Sequence, residues 1–153
     1  MTLTNEYIRG LIDGEGSFTF CTAYKNWGDV RPKLPTFILT MHERDLELIR
    51  ALKETLGIKS NIYRLGPYRN DGVNRGAIAR IMVRDLGTLK NIIIPLFYNR
   101  LKGYKGYQFD EWLEKIGSDP AVPDRYKLLY RLHKTGYFTR ELSPTGLFRK
   151  FVD

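Results

Sequence analysis

The chain of 153 residues carries a formal net charge of +8, with 42% hydrophobic and 13% aromatic residues. This length suits one domain with a real hydrophobic core, and the composition is globular rather than disordered. A single cysteine, Cys21, excludes an intrachain disulfide, and no apolar stretch approaches membrane-spanning length. We therefore expect a soluble, intracellular protein without a membrane partner. The positive charge favours a polyanionic partner, although an ordinary basic protein remains an equal alternative on charge alone.

The first predicted elements are a helix and a long hairpin. Thr4 offers an N-cap, and apolar residues then recur at helical spacing until Gly14 and Gly16. Alternating apolar and polar residues predict a strand over 17–25 and, after a turn-rich connection, a second strand over 34–41.

The next segment predicts another helix and another hairpin. Thr40 and Glu43 have the spacing of a capping box, so we expect a helix to begin here and to end at Gly57. Two strands are expected over 58–65 and 77–83, because the residues between them have loop chemistry.

The remaining predicted elements are helical. Asp85 can cap a third helix, which we expect to stop at Pro95 because proline cannot continue a helix interior. A fourth helix is expected around 109–116 and a last one around 126–133. The tail from Gly136 is not assigned.

This order of elements predicts an α+β fold in one domain, 1–153. Its core, about 1–116, would be αββαββα, with a four-stranded antiparallel sheet that carries helices on one face. Residues 117–153 would form a C-terminal helical extension. The other face of the sheet would be free for a partner.

The stretch Gly10-Leu11-Ile12-Asp13-Gly14-Glu15-Gly16 is the most unusual in the chain. Each glycine costs a helix about 1 kcal/mol relative to alanine. Gly10 and Gly14 lie on one helical face, where a second helix could approach closely; a loose helix end is the alternative. Asp13 and Glu15 lie at the negative end of the helix dipole, where a divalent metal such as Mg²⁺ would offset their charge. Exposed surface acids are the alternative.

Residues Ile8 to Gly16 resemble the signature motif of LAGLIDADG homing endonucleases, with identity at Gly10, Leu11, Ile12, Asp13 and Gly16. Arg9 departs from the motif, because the family usually has a small residue there, and it must point away from the helix interface. The resemblance extends through the αββαββα order to about Ile116. It implies a site-specific homing endonuclease that cuts both strands of a long pseudo-palindromic DNA target by metal-dependent phosphodiester hydrolysis, leaving 3′ overhangs.

The resemblance also implies an assembly and a catalytic site. One copy of the motif implies a homodimer, in which two helices meet through Tyr7, Gly10, Leu11 and Gly14. Glu15 would be catalytic and would bind Mg²⁺, or another divalent cation such as Mn²⁺ or Ca²⁺, together with the backbone carbonyl of Gly14.

The family's lysine near the site stands in a Lys-x-x-x-aromatic frame, which Lys105 to Phe109 matches. Lys105 is therefore the expected catalytic lysine, and Lys102 is the alternative. Some relatives have a glutamine after the second strand. Met41 stands at that position here, so His42 or Arg44 would have to substitute.

The second hairpin has a DNA-facing pattern, with six basic residues and one acid between Lys59 and Arg84. The residues expected to contact DNA are Thr19, Cys21, Ala23, Lys25, Lys33, Thr36, Ile38, Thr40, Tyr63, Arg64, Arg69, Arg75 and Arg80. Arg100, Lys102 and Lys105, interleaved with Tyr104 and Tyr107, would contact phosphates.

Two non-cutting alternatives remain open. One is a nucleic-acid-binding protein on the same fold, either an intron maturase with host-intron RNA as a partner or a DNA-binding regulator. The other is a basic α/β module without catalysis. Under the endonuclease interpretation, the protein would work in the cytoplasm or an organelle of the host of a mobile element.

Overall fold

The computed structural model describes residues 1–22, 31–67, 76–142 and 148–151. Within these residues the strands are β1 (Gly16–Thr22), β2 (Lys33–His42), β3 (Ile62–Leu65) and β4 (Ile78–Val83). The α-helices are α1 (Asn5–Glu15), α2 (Leu46–Leu56), α3 (Leu86–Thr88), α4 (Ile94–Phe97), α5 (Lys105–Ser118) and α6 (Lys127–Lys134). Shorter 3-10 turns span Glu43–Asp45, Asp124–Tyr126, Tyr137–Leu142 and Arg149–Phe151. The predicted α+β fold is confirmed.

The strands form one four-stranded antiparallel sheet in the order β1-β2-β4-β3. Each predicted hairpin supplies one antiparallel pair, and β2 joins the two pairs by bonding to β4. Gly16 lies opposite Leu39, and Leu39 lies opposite Ile81. The beginning of β1, which directly follows α1, is therefore aligned with the two central strands.

One face of the sheet carries the hydrophobic core. Phe18, Phe37 and Ile81 point to this face, and all three are buried. The ring of Phe18 lies 4.9 Å from that of Phe109 and 5.4 Å from that of Trp112, between ring centroids. Helix α5 therefore packs across the sheet on the side that also receives α1.

The N-terminal cap of α1 forms as predicted. The hydroxyl of Thr4 accepts a hydrogen bond from the backbone N–H of Tyr7 at 3.1 Å. Ile8 and Ile12 are fully buried, so one face of α1 is fixed against the core. The helix ends at Glu15, and β1 begins at the next residue.

The predicted capping box at Thr40 and Glu43 is wrong. Thr40 remains in β2, because the pairing with β4 continues until His42 lies opposite Ile78. His42 then caps the following 3-10 turn, since its Nδ1 accepts a hydrogen bond from the backbone N–H of Arg44 at 3.1 Å. Because of this pairing, the strand continues two residues beyond Thr40, where the capping-box spacing predicted that a helix would begin.

The predicted helix end at Pro95 is also wrong, because helical structure continues to Phe97. The preceding segment, Leu89–Ile93, is π-helical, and the backbone N–H of Ile94 donates to the carbonyl of Leu89. This wider turn shifts hydrogen bonding to the residue five positions back. Pro95, which has no N–H to donate, is therefore accommodated without ending the helix.

The C-terminal segment packs onto the same core. Leu129 in α6 and Phe138 in the next 3-10 turn are fully buried, and Phe151 is 4% exposed. The described part of the tail that sequence patterns left unassigned thus closes one side of the molecule.

No helix within the described ranges is long and apolar enough to cross a membrane.

Candidate active site and nucleic-acid interface

A stripe of α1 faces away from the core and is not covered by the described residues. Gly10 and Gly14 are both exposed, and a Cβ added at either position would meet no atom of a described residue within 4 Å. Tyr7, one turn earlier on this face, is 50% exposed, while Leu11 is partly buried. Packing within the described residues therefore does not require glycine at either position. The missing side chains leave a shallow groove along the helix.

Arg9 points to the opposite side of α1, as the sequence led us to expect. Its side chain is almost fully buried, and its Nε donates to the carbonyl of Leu96 at 2.8 Å. A terminal guanidinium nitrogen donates to the carbonyl of Phe151, and another lies 3.2 Å from Glu6. Arg9 thus ties α1 to the end of α4 and to the C-terminal segment.

The two acids at the end of α1 have different environments. The carboxylate of Asp13 accepts hydrogen bonds from the backbone N–H groups of Lys102 and Gly103, at 3.0 and 3.1 Å. Glu15 is exposed and forms no hydrogen bond or ion pair with a described residue. Asp13 is therefore committed to holding the loop before α5, and Glu15 is the acid that remains available to a ligand.

The same loop carries the two candidate lysines. Lys105 is the first residue of α5, half-buried, and in no ion pair with a described carboxylate. The ammonium of Lys102 lies 3.9 Å from Glu6, near the other end of α1. Glu6 precedes Glu15 by nine residues, or about 13 Å along the helix axis. The side chain of Lys102 is thus directed away from Glu15, which favours Lys105.

The donor atoms at this end of α1 fit a hard divalent cation that is shared with a substrate. No group of three or more His, Cys, Asp or Glu side chains in the described ranges could hold a metal ion alone. Glu15 offers a free carboxylate, and Gly14 offers a carbonyl in the last helical turn, where carbonyls lack partners within the helix. Magnesium is commonly bound through one or two carboxylates plus substrate phosphates, so this set fits it.

The sheet face away from the helices carries most of the described residues that were expected to contact DNA. Strand register and alternation place together on this face Thr19, Cys21, Ile38, Thr40, Tyr63 and Arg80. We call this surface the open face. Thr36 lies in the same row but is fully buried, and its hydroxyl donates to the carbonyl of Leu34 at 2.8 Å, so the expected DNA contact of Thr36 is wrong. Ala23, Lys25, Arg69 and Arg75 lie outside the described residues.

Lys33 and Arg64 do not share the open face. Lys33 is in register with the helix-facing row of β2 and forms an ion pair with Asp119 at 3.3 Å. Arg64 lies opposite Ala79, a buried core residue, and pairs with Glu43. A basic residue in a strand can belong to either face, and only the register decides between them.

The residues around the position of the relatives' glutamine have structural roles here. Met41, which stands at that position, lies on the helix-facing side and is partly buried against the core. His42, one of the two residues expected to substitute, caps a turn by accepting a hydrogen bond from the backbone N–H of Arg44, the other. Two contacts were missed at the sequence level: the bonds of Asp13 to the loop before α5 and a hydrogen bond between Arg80 and Thr40. Neither has a local signal, because each joins residues that are distant in sequence.

Comparison with known families identifies the family of this chain. The sequence model described as LAGLIDADG endonuclease matches residues 8–116, which include most of α1, the four strands of the sheet and most of α5. The chain belongs to the LAGLIDADG endonuclease family. The matched range contains the whole stretch from Ile8 to Gly16 on which the sequence resemblance rests.

Solved structures of LAGLIDADG and other homing endonucleases share the fold. The homing endonuclease I-TnaI matches with a TM-score of 0.61 and 20% identity over 99% of this chain and 84% of its own. The meganuclease I-SmaMI, bound to uncleaveable DNA, gives 0.60 and 21% over 86% of this chain and 44% of its own. I-GzeII, in complex with its DNA target, gives 0.56 and 22%, covering 86% and 43%.

At these identities the structural likeness establishes the fold. The chain spans less than half the length of the I-SmaMI and I-GzeII chains that it matches. No curated protein matches the sequence significantly.

Proposed function

We propose that this LAGLIDADG protein is a site-specific endonuclease that binds duplex DNA on its open face and cuts both strands. The observation that carries the proposal is the difference between the two acids of α1. Asp13 is bound by two backbone N–H groups, whereas Glu15 is exposed, has no partner among the described residues, and ends a helix whose outer stripe these residues leave uncovered.

Charge and shape support DNA as the substrate. The net charge of +8 favours a polyanion, and the open face presents polar side chains together with Arg80. The structures of I-SmaMI and I-GzeII contain DNA, which supports the same class of ligand for this chain.

A second copy of the chain would complete the site. The bare stripe at Gly10 and Gly14 suits close contact with an identical helix, and a two-fold contact places the same residues on both sides. Two copies of Glu15 would then face the two DNA strands. Such an assembly recognises a long, nearly palindromic target, and cuts offset toward the 3′ side leave 3′ overhangs.

The chain's own groups would divide the chemistry as follows. Glu15 and the carbonyl of Gly14 would hold a divalent cation, with Mg²⁺ as the first choice and Mn²⁺ or Ca²⁺ as substitutes. When bound, the cation supplies positive charge beside the scissile phosphate and lowers the pKa of water. Lys105 would orient the attacking water or offset the charge that develops on the phosphate. Asp13 would hold the loop that carries Lys105.

Glu15→Gln tests this proposal, because it keeps the side chain's size and removes its charge. With Mg²⁺, the wild-type protein should linearise a plasmid that carries its target. The variant should bind the same duplex with an affinity within a few-fold of wild type and should not cut it. Glu47→Gln, an exposed acid on α2, is the matched control and should cut normally.

Three outcomes would contradict the proposal. Equal cutting by Glu15→Gln would remove Glu15 from the mechanism. Cutting that persists in excess EDTA would remove the metal. Tight duplex binding by the wild-type protein without any cutting would favour the non-cutting regulator instead.

A further inference from the structure

Three side chains form a row across the open face. Register places Thr40 of β2 opposite Arg80 of β4, and Arg80 opposite Tyr63 of β3. The Nε of Arg80 donates a hydrogen bond to the hydroxyl of Thr40 at 3.0 Å. This hydrogen bond uses Nε of the guanidinium. It does not use the two terminal nitrogens, Nη1 and Nη2.

Arg80 is not neutralised by a carboxylate of the described residues, in contrast to three other arginines. Arg9, Arg50 and Arg64 each form an ion pair with a glutamate. Arg80 has no ion pair with any residue in the described ranges, although its side chain is half-buried. A half-buried cation that is oriented by a hydroxyl and not neutralised is suited to an acceptor from outside the chain.

We propose that Arg80, oriented by Thr40, recognises one guanine in each half of the DNA target. This inference rests on the proposed function, since it requires DNA on the open face. Guanine presents two adjacent acceptors, O6 and N7, in the major groove, and the parallel N–H groups of a guanidinium match them. β2 and β4 are the two central strands of the sheet. A side chain on these central strands can therefore enter a DNA groove more readily than it can reach the phosphates at the edge of that groove.

The neighbours of Arg80 across the open face are Thr40 and Tyr63. Tyr63 lies opposite Arg80 on the β3 side and is 50% exposed. Beyond Arg80 and Tyr63 the surface falls into a hollow of about 540 Å³ that Lys59 and Asn61 also line. The hydrogen bond to Thr40 is the contact that orients the guanidinium.

The guanine should lie near the cut. Arg80 is one residue from Ile81, which aligns through Leu39 with Gly16, the residue after Glu15. Two strand spacings amount to roughly 10 Å, and one base pair rises about 3.4 Å along the duplex. The recognised guanine is therefore expected within a few base pairs of the scissile phosphate, at symmetric positions in the two half-sites.

Selection from a pool of duplex DNA with a randomised central stretch tests this inference. The full chain is used with Ca²⁺ to limit cutting, and bound duplexes are sequenced for the wild type, Arg80→Gln, Arg80→Lys and Thr40→Val. The wild type should enrich guanine at one position in each half-site. Arg80→Gln and Arg80→Lys should each lose this preference by about fivefold or more, while preferences at other positions persist.

Thr40→Val keeps the shape of the side chain and removes the acceptor, so it should weaken the same guanine preference with little change in overall affinity. Arg50→Gln, which removes an ion-paired arginine on α2, is the control and should leave every preference unchanged.

Two results would overturn the inference, and they differ in what they leave standing. If the wild type enriches a target and Arg80→Gln only weakens binding evenly at all positions, Arg80 contacts a phosphate and the inference alone fails. If the wild type enriches no duplex at all, both the inference and DNA as the substrate fail.

Discussion

The carboxylate of Asp13 accepts a hydrogen bond from the backbone N–H of Lys102 at 3.0 Å. Asp13 lies in the last turn of α1, two residues before Glu15, and Lys102 lies in the loop three residues before Lys105. This contact therefore joins the end of the helix that carries Glu15 to the loop before the helix that begins with Lys105. In the mechanism that we propose, Asp13 is a positioning residue.

Asp13→Ala should separate the two helices and lower cutting more than it lowers stability. The loss of two hydrogen bonds to an exposed carboxylate should cost about 1–2 kcal/mol in the free energy of unfolding, measured in urea. Displacement of Lys105 by about 1 Å should lower kcat by about tenfold or more. Asp13→Asn retains one acceptor oxygen, so its losses in the free energy of unfolding and in kcat should both be smaller than those of Asp13→Ala. A purely structural role would show the stability loss with kcat unchanged.

Gly10→Leu should break the dimer and leave the fold intact. A Cβ added at Gly10 meets no atom of a described residue within 4 Å, and leucine favours a helix by up to about 1 kcal/mol over glycine. Sedimentation should therefore show a monomer, while the melting temperature at low protein concentration stays level or rises. Glu47→Leu, on the exposed side of α2, provides the control for added apolar surface. A dimer that survives Gly10→Leu would place the interface elsewhere.

Arg9→Met should destabilise the protein even though methionine suits a buried site. The carbonyls of Leu96 and Phe151 would lose their charged donor, and each unmet buried acceptor costs about 1–3 kcal/mol. Urea unfolding should show a loss of at least about 2 kcal/mol. The lysine of Arg9→Lys reaches fewer acceptors than arginine does. The free energy of unfolding of this variant should therefore lie between those of the wild type and Arg9→Met. Unchanged stability in the methionine variant would show that neither bond matters.

Asp119 predicts an acid-side pH dependence of stability. The backbone N–H of Ala121 and the ammonium of Lys33 hold the pKa of Asp119 below its usual value of 3.8. A depressed folded-state pKa stabilises the fold above the unfolded value and loses that contribution as the pH falls through the folded value. The melting-temperature difference between wild type and Asp119→Asn should therefore be full at neutral pH and should shrink as the pH falls below 3.8 and through the lower folded-state pKa of Asp119. A difference that is constant with pH would contradict this assignment.

Much of the fold could be predicted from the sequence because its signals are local. The cap at Thr4, the helix end at Gly57, which has φ 69°, and the buried stripe from Phe109 to Ile116 each depend on neighbours within a few residues. The structure confirms all three. The motif around Gly10 and Glu15 could be found in the same way, since it is one continuous stretch.

The errors occurred where distant parts of the chain determine the structure. Thr40 has the spacing of a capping box, but pairing with β4 keeps it in a strand. Pro95 should end a helix, but a π-helical turn widens the backbone before it. Arg64 and Arg80 look alike in sequence, and only strand register separates the ion-paired one from the one on the open face.

Mixed dimers provide the sharpest test of a site that uses one Glu15 for each DNA strand. Wild-type and Glu15→Gln chains that carry different affinity tags can be co-expressed and purified through both tags, then incubated with Mg²⁺ and a supercoiled plasmid that carries the selected target. We predict nicked circles from the mixed dimer, linear DNA from the wild-type dimer and intact plasmid from the double variant. Linear DNA formed by the mixed dimer at the wild-type rate, or the absence of any mixed dimer, would contradict two paired helices with one carboxylate for each strand.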